Sequence, residues 1–500
     1  MPYLIQGIND WNKAFEEAGF KNAIVGKEVP EGSDISPDDA RYSFLRYLPS
    51  EKENAYGPRI VDPRSGEIIE SHICWYHNVM NLLTKWYMTQ CGPLDKRAQK
   101  MTFDKDLMGK LIRFVSSHEV GHTLGLRHNM VASHATPVEK LRDKNWVEKY
   151  GHTASIMDYA RFNFVAQPED NIGEAGLFPR INDYDKWAIK WGYQYRPEFK
   201  DEFEEKKVLR SEVTKALTAN HRLRYKGDEG RGQDPRSQIE DLSDNDIVAN
   251  EYGIKNLKRV MQNIVQWTAQ PDGQTDDLET MYSAVRSQFQ RYCGHVGRYI
   301  NGVYSDNWPS TRNNDIVPAA LQKDAIAWLG RHLFTLPHWL YPDSIVNKLG
   351  VNANDDLTRT STLWLNYFLS AKTLYRCATN SFTASKPYPV NDYLNDLFKA
   401  IWKPMSQTNQ RDNNYRRKLE QNYVDCIGLV INPEKTAKDN TKTEPSDATL
   451  YALKHLDMID NFCQQQLKKS NADGINALHY KNLMLKTKKI RDTYSKPTAE

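Results

Sequence analysis

The sequence predicts an α+β chain in which a few strands and one long helix form the front part and a mostly helical region follows. Three observations carry that prediction. Alternating, strand-like segments occur only within the first 80 residues. Residues 118 to 129, HEVGHTLGLRHN, close a long amphipathic helical pattern. From about residue 200 onward, nearly every periodic segment repeats at the helical interval.

The elements follow in order. Residues 7 to 19, GINDWNKAFEEAG, put Ile8, Trp11, Ala14, Phe15 and Ala18 on one face and end in glycine, which is an amphipathic helix with its stop signal. Arg41 to Leu48 alternates Tyr42, Phe44 and Leu48 with mostly polar neighbours and reads as a strand. Gly57 to Trp75 reads as two strands around the turn Asp62-Pro63-Arg64-Ser65-Gly66. Helical patterns follow at Val79 to Met88 and Leu107 to Leu124. Further ones lie at Ile254 to Trp267, Leu278 to Tyr292, Leu321 to Phe334, Tyr415 to Ile431 and Ala448 to Leu467. Gly227 to Pro235 and Pro433 to Ser446 read as loops. The first of these is acidic and glycine-rich, as a calcium loop can be, but it lacks EF-hand spacing and is read as plain surface.

Five hundred residues exceed what one core usually holds, so two domains, possibly three, are expected. Hydrophobic content of 39% with 26% charged residues describes a globular chain rather than a disordered or membrane-embedded one. No apolar run is long enough to span a bilayer. The net charge of +3 comes from mixed acids and bases without a basic stripe, which argues against nucleic acid as a partner. PYLIQGIND after Met1 has neither the basic start nor the apolar core of an export signal. The six cysteines, Cys74, Cys91, Cys293, Cys377, Cys426 and Cys463, are sparse and without CxxC spacing, which favours buried thiols over a disulfide framework.

The chemistry concentrates at 118 to 159. At a usage of about 5% per residue type, HExxH arises by accident in roughly one chain in twenty of this length, and the added Gly125 and His128 reduce that to the order of one in ten thousand. On a helix, His118 and His122 lie one turn apart on one face and can address one ion. Glu119, one position round, suits a water at that ion better than the ion itself. Gly125 can take the positive φ of a helix end, after which the chain can return His128 from a loop. Three neutral histidines leave one tetrahedral position open, as in a catalytic zinc site. Downstream stands SIMDY, residues 155 to 159, with a methionine that would by itself read as core.

HExxHxxGxxH followed by SIMDY resembles the metzincin metalloproteases with their Met-turn. More narrowly, the chain resembles the bacterial Met-zincin family of zinc-dependent metallopeptidases. The matching pieces are GINDWNKAFEEAGFKNA, YGPRIVDPRSGEII, HEVGHTLGLRHN, SIMDY and DYDKWAIKWGY at 183 to 193. The resemblance implies a metzincin-like catalytic domain over residues 1–196 and a mainly helical C-terminal region over 197–500. It implies a single catalytic zinc on His118, His122 and His128, with Glu119 as general base, Met157 as the apolar floor and Tyr159 near the metal. It also implies an extended peptide paired to a sheet edge around Gly66 to Trp75, and a location that is extracellular, periplasmic or in the cell envelope. An export signal and a first strand would then lie upstream of Met1. Asn129, after the third histidine, departs from the residues that mark the best-known metzincin subfamilies. CGPLD at 91 to 95 resembles a cysteine switch but sits inside the domain and reads as a loop.

The expected function is a zinc endopeptidase. The alternatives are a zinc hydrolase restricted to one glycoprotein or peptide target, and a weak or inactive zinc-site protein whose helical domain binds a partner. An intact Glu119 speaks against the last.

Overall fold

The computed structural model describes residues 1–227, 234–306, 308, 314–383, 388–406, 408–433, 447–469 and 474–495. Most of the acidic, glycine-rich loop at Gly227 to Pro235 and most of Pro433 to Ser446 lie outside the described residues. The chain forms two compact units, one comprising residues 1–292 and 305–313, the other 293–304 and 314–500.

The first unit opens with α1 (Pro2–Asn9) and α2 (Asn12–Glu17). The single helix predicted over 7 to 19 is therefore two, starting earlier and broken at Asp10 and Trp11. Long-range bonds account for the break. The Trp11 Nε1–H donates to Ser117 O at 2.9 Å, and Asp10 pairs with Arg113, so both residues are committed to another helix. Gly19, at φ +99°, ends the segment as its glycine predicted.

A mixed sheet follows, made of β1 (Phe44–Leu48), β2 (Ala55–Tyr56), β3 (Arg59–Val61) and β4 (Ile68–Tyr76). β1 runs parallel to β4, with Phe44 opposite His72. β2 and β3 run antiparallel to the other side of β4, with Arg59 opposite Ser71. The turn at 62 to 66 forms as read, with Gly66 at φ +79°. Ser71, Ile73 and Trp75 of β4 alternate into the core, the period-two pattern of a strand with one covered face.

α3 (Val79–Cys91) leads to α4 (Lys105–Thr123), which starts where Asp104 accepts from the Leu107 N–H at 2.8 Å. Such an N-cap is worth about 1 kcal/mol. Leu107, Leu111, Phe114 and Val120 of α4 are buried, and α1 lies along it so closely that a Cβ on Gly7 would stand 2.6 Å from Ser116 Cβ. Ser116 and Ser117 donate across to Leu4 O and Gly7 O, which removes the cost of burying two hydroxyls. The unit continues with α5 (Lys144–Tyr150), α6 (Glu174–Leu177), α7 (Asp183–Tyr193), α8 (Glu202–Ala219), α9 (Asp246–Trp267) and most of α10 (Asp276–Gly297).

The second unit is an assembly of helices: α11 (Ala319–His332), α12 (Asp343–Leu349), α13 (Ala353–Phe368), α14 (Ala371–Thr383), α15 (Val390–Ile401), α16 (Gln410–Ile431), α17 (Asp447–Leu467) and α18 (Ile475–Tyr494). Its centre is α16, whose Leu419, Tyr423 and Ile427 are fully buried and which packs on α13, α17 and α18. The α+β class and the helical remainder are as the sequence predicts. Two three-residue strands, Val303–Ser305 and Asn314–Ile316, lie later in the chain than any the sequence suggested. All six cysteines are free thiols, five of them buried. No helix among the described residues is long and apolar enough to cross a membrane.

Candidate metal centre

α4 ends at Thr123, and Gly125 at φ +93° turns the chain, with the Leu126 N–H returning to Gly121 O at 3.0 Å. That turn brings His128 back to the two helical histidines. The three imidazoles offer ligand atoms that all lie within 4.8 Å of one another. His118 is buried, and its Nδ1 meets Ile156 O at 2.7 Å, while the His122 Nδ1 meets Leu126 O at 3.0 Å. A carbonyl only accepts, so in both rings Nδ1 carries the proton and a neutral ring presents the Nε2 lone pair to the cluster.

The fit of a metal can be tested on these atoms. The His118 Nε2 is buried without any protein partner. The His122 Nε2 stands 3.1 Å from the His128 Nε2. Burial, followed by the neighbouring His122 and His128, pushes the His118 pKa well below the ordinary histidine value, so the ring is held neutral. Neutral imidazoles with converging acceptors suit a divalent transition metal, and the nitrogen donor set suits zinc.

Glu119 is buried beside the cluster. Burial raises its pKa to about 7, against the opposing pull of Arg161 and of a hydrogen bond from the Gly57 N–H. Its Oε2 has no protein partner. Gly57 lies so close that a Cβ there would stand 2.8 Å from Glu119 O, which explains a glycine between β2 and β3. Arg59 Nη1 donates to His122 O at 3.1 Å, tying the strand to the helix end.

Below the histidines runs the Met-turn. Met157 is fully buried, and a Cβ on Gly121 would collide with its Sδ, so the first glycine of HEVGHTLG is the room that methionine needs. The turn is clamped by Asp185 of α7, which accepts from Ser155 Oγ at 2.6 Å, from the Ile156 N–H at 2.8 Å and from the Asn182 N–H at 2.9 Å. Since Ile156 O receives His118, a continuous chain of hydrogen bonds runs from Asp185 to a candidate ligand.

The Tyr159 ring stacks on His118 at 5.3 Å between centroids and lies 4.2 Å from the His128 ring. Its other neighbour is Arg161, whose guanidinium sits 4.3 Å from the Tyr159 ring and 3.6 Å from that of Trp86. Arg161 holds φ +57° and faces Glu240, itself at φ +64° and bonded from its N–H to Tyr159 O. Two non-glycine residues in the left-handed region against one tyrosine mark a backbone held in place by its surroundings.

One expectation is corrected. β4 offers no free edge from His72 to Trp75, where β1 covers one side and β2 and β3 the other. The edge beside the helix is instead the run from Ala55 to Val61, where Tyr56, Ile60 and Val61 are exposed. Asn129 also has a reason: its side chain donates to Arg224 O at 2.9 Å and accepts from the Lys226 N–H at 3.0 Å, holding the His128 loop to a distant segment. The three histidines, Glu119, Gly125, Met157 and Tyr159, all named from the sequence, are brought together here. Sequence reading missed Gly57, Arg161 and Asp185, of which Gly57 and Asp185 carried a signal, their places in YGPRIVDPRSGEII and DYDKWAIKWGY.

Neither a curated protein nor a solved structure matches the chain. The Met-zincin family model matches residues 100–409, more than half of the sequence, and its span includes the histidine cluster and the turn beneath it. Membership supports a metalloprotease-type hydrolase in general terms, and on that match the chain belongs to the Met-zincin family.

Proposed function

We propose that the chain is a zinc-dependent endopeptidase, with His118, His122 and His128 as the ligands. The observation that carries this is the pairing of rings whose Nδ1 atoms are committed to Ile156 O and Leu126 O with a buried, partner-free Nε2 on His118, beside the equally buried Glu119. A zinc ion held there would supply a Lewis acid that acidifies water and polarises the carbonyl of a peptide bond.

The chain's own groups do the rest. Glu119 takes the proton of the attacking water at its carboxylate and passes it to the leaving nitrogen. A pKa of about 7 suits a group that must hold that proton between the two steps. The hydroxyl of Tyr159 donates to the carbonyl oxygen as charge grows on it, with the ring oriented by His128 on one side and Arg161 on the other. Asp185 and the Met-turn fix the His118 ring so that no reorganisation is needed during the reaction. The edge from Ala55 to Val61 pairs with an extended substrate by backbone hydrogen bonds. Every residue in this chemistry lies within 1–196, which we read as the catalytic region, and 197–500 as a helical C-terminal region.

By the family resemblance the place of action is outside the cytoplasm, which fractionation of the producing cells would check. The activity itself is tested by incubating zinc-loaded protein with an unfolded protein and a defined peptide library. Internal peptide-bond cleavage that stops when zinc is chelated supports the reading. Intact substrates throughout would overturn it.

A further inference from the structure

We propose that a cavity behind the turn joining His122 to His128 receives a bulky apolar side chain of the substrate polypeptide, so that cleavage sites are chosen by a residue three or four positions from the bond cut. The inference rests on the endopeptidase reading and names the substrate feature it selects.

The cavity measures about 1210 Å³, and its walls come from Thr123–Arg127, β3, α7, α8 and Trp308. A pocket of roughly 300 to 1,000 Å³ already takes a drug-sized ligand, so an indole or phenyl ring fits with room to spare. Trp187 and Trp191, one helical turn apart on α7, face it together with Tyr193, Leu217 and Val61. Trp191 is 51% exposed and Tyr193 36%, large aromatic surfaces left open to solvent in a concave wall. The walls are fixed in advance. Tyr193 donates its hydroxyl to Leu124 O at 2.9 Å, and Trp308 is held beneath the guanidinium groups of Arg224 at 4.9 Å and Arg236 at 5.2 Å.

The substrate is the occupant favoured because the cavity and the candidate active site share two pieces of chain. One is the turn 123–127 between two candidate ligands. The other is the edge strand, which touches Glu119 at Gly57 and enters the cavity at Arg59 and Val61, two residues on one strand face. From Gly57 to Val61 is four residues, roughly 13 Å at about 3.3 Å per residue. A peptide paired along that edge advances at the same rise, so its third or fourth residue from the bond at Glu119 arrives at the cavity. Aromatic walls favour an aromatic or long aliphatic side chain there over a small or charged one.

The test uses the full-length, zinc-loaded chain and peptides identical except for tryptophan or serine at the third and fourth positions on either side of the cut. Cleavage efficiency and affinity, the latter from the anisotropy of a labelled peptide, are both read. Tryptophan at one of these positions should raise kcat/KM and affinity about tenfold to a hundredfold, the worth of burying one large apolar side chain. Trp191→Ser and, as a second variant on a different element, Val61→Glu should each bring the ratio within the pair toward one. Equal handling of the paired peptides by the wild-type chain overturns the inference. So does a preference that survives both variants with their folds intact by circular dichroism. If no peptide is cut but the tryptophan preference in affinity persists, the endopeptidase reading falls and the cavity assignment stands. Absence of both cleavage and preference overturns both.

Discussion

Both units bury histidines, yet they commit them differently. In the second unit the His479 Nε2 meets Glu420 Oε2 at 2.8 Å and the His455 Nε2 meets the Tyr423 hydroxyl at 2.8 Å, so each ring spends that nitrogen on a protein group. Burial keeps the pair with Glu420 neutral, holding His479 down to about 4 and Glu420 well above the carboxylate range. In the first unit His118 and His122 spend Nδ1 on a carbonyl and turn Nε2 toward each other and His128. Burial alone therefore does not mark a histidine as a candidate ligand. What sets the first-unit pair apart is a backbone acceptor on one ring nitrogen and a second histidine facing the other.

That contrast can be broken. The largest effect is expected on metal content: His122→Ala combined with His128→Ala should take zinc from about one per chain to near zero, while His455→Asn leaves it unchanged, both read by metal analysis. Full zinc in the double variant would remove the cluster as a ligand set. Glu119→Gln should keep the zinc and lower peptide turnover by roughly 10² to 10⁴, and wild-type turnover would exclude it as the base. Tyr159→Phe should lower turnover by roughly 10 to 10³ with zinc content and Tm nearly unchanged, because one donor to the developing oxyanion is lost while the ring keeps its contacts. A fully active variant would make Tyr159 a packing residue only. The smallest effect is in the second unit. The His455 pKa is lowered by burial to about 4, so between pH 6.5 and 4 the unfolded chain binds a proton that the folded chain does not. Stability contributed this way is whole above pH 6.5 and falls as the pH drops toward 4. His455→Asn should flatten the fall of Tm across that window by one histidine's share, with thermal melts at several pH values as the check.

The parts of the site legible in the sequence are those set by local geometry. His118 and His122 follow from helical spacing, Gly125 from the conformation a helix end demands, and Met157 and Tyr159 from a short motif close by in the chain. What stayed hidden depends on partners far along the chain. The order of the sheet follows from β4 pairing on both sides, which its alternating pattern cannot reveal, since that pattern reports which face is buried and not which edge is free. The interruption at Asp10 and Trp11 is decided by Arg113 and Ser117, about a hundred residues on. Asp185 looks like an ordinary helix-capping residue until its bond to the Ile156 N–H links it to His118. Gly121 reads as an unremarkable residue inside HExxH until Met157 is found against it.

The hydrogen bonds that join Asn129 to Arg224 and Lys226 bear on the order in which the candidate metal centre is completed as the chain is made. A chain emerging from the ribosome has all three histidines available well before residue 224 exists, yet the loop that carries His128 lacks its anchor until then. Closing that long loop costs chain entropy, which only the later segment repays. Nascent chains arrested before residue 224 should therefore hold zinc more weakly than those arrested beyond 313, as competition with a chelator would measure; equal retention would break the link.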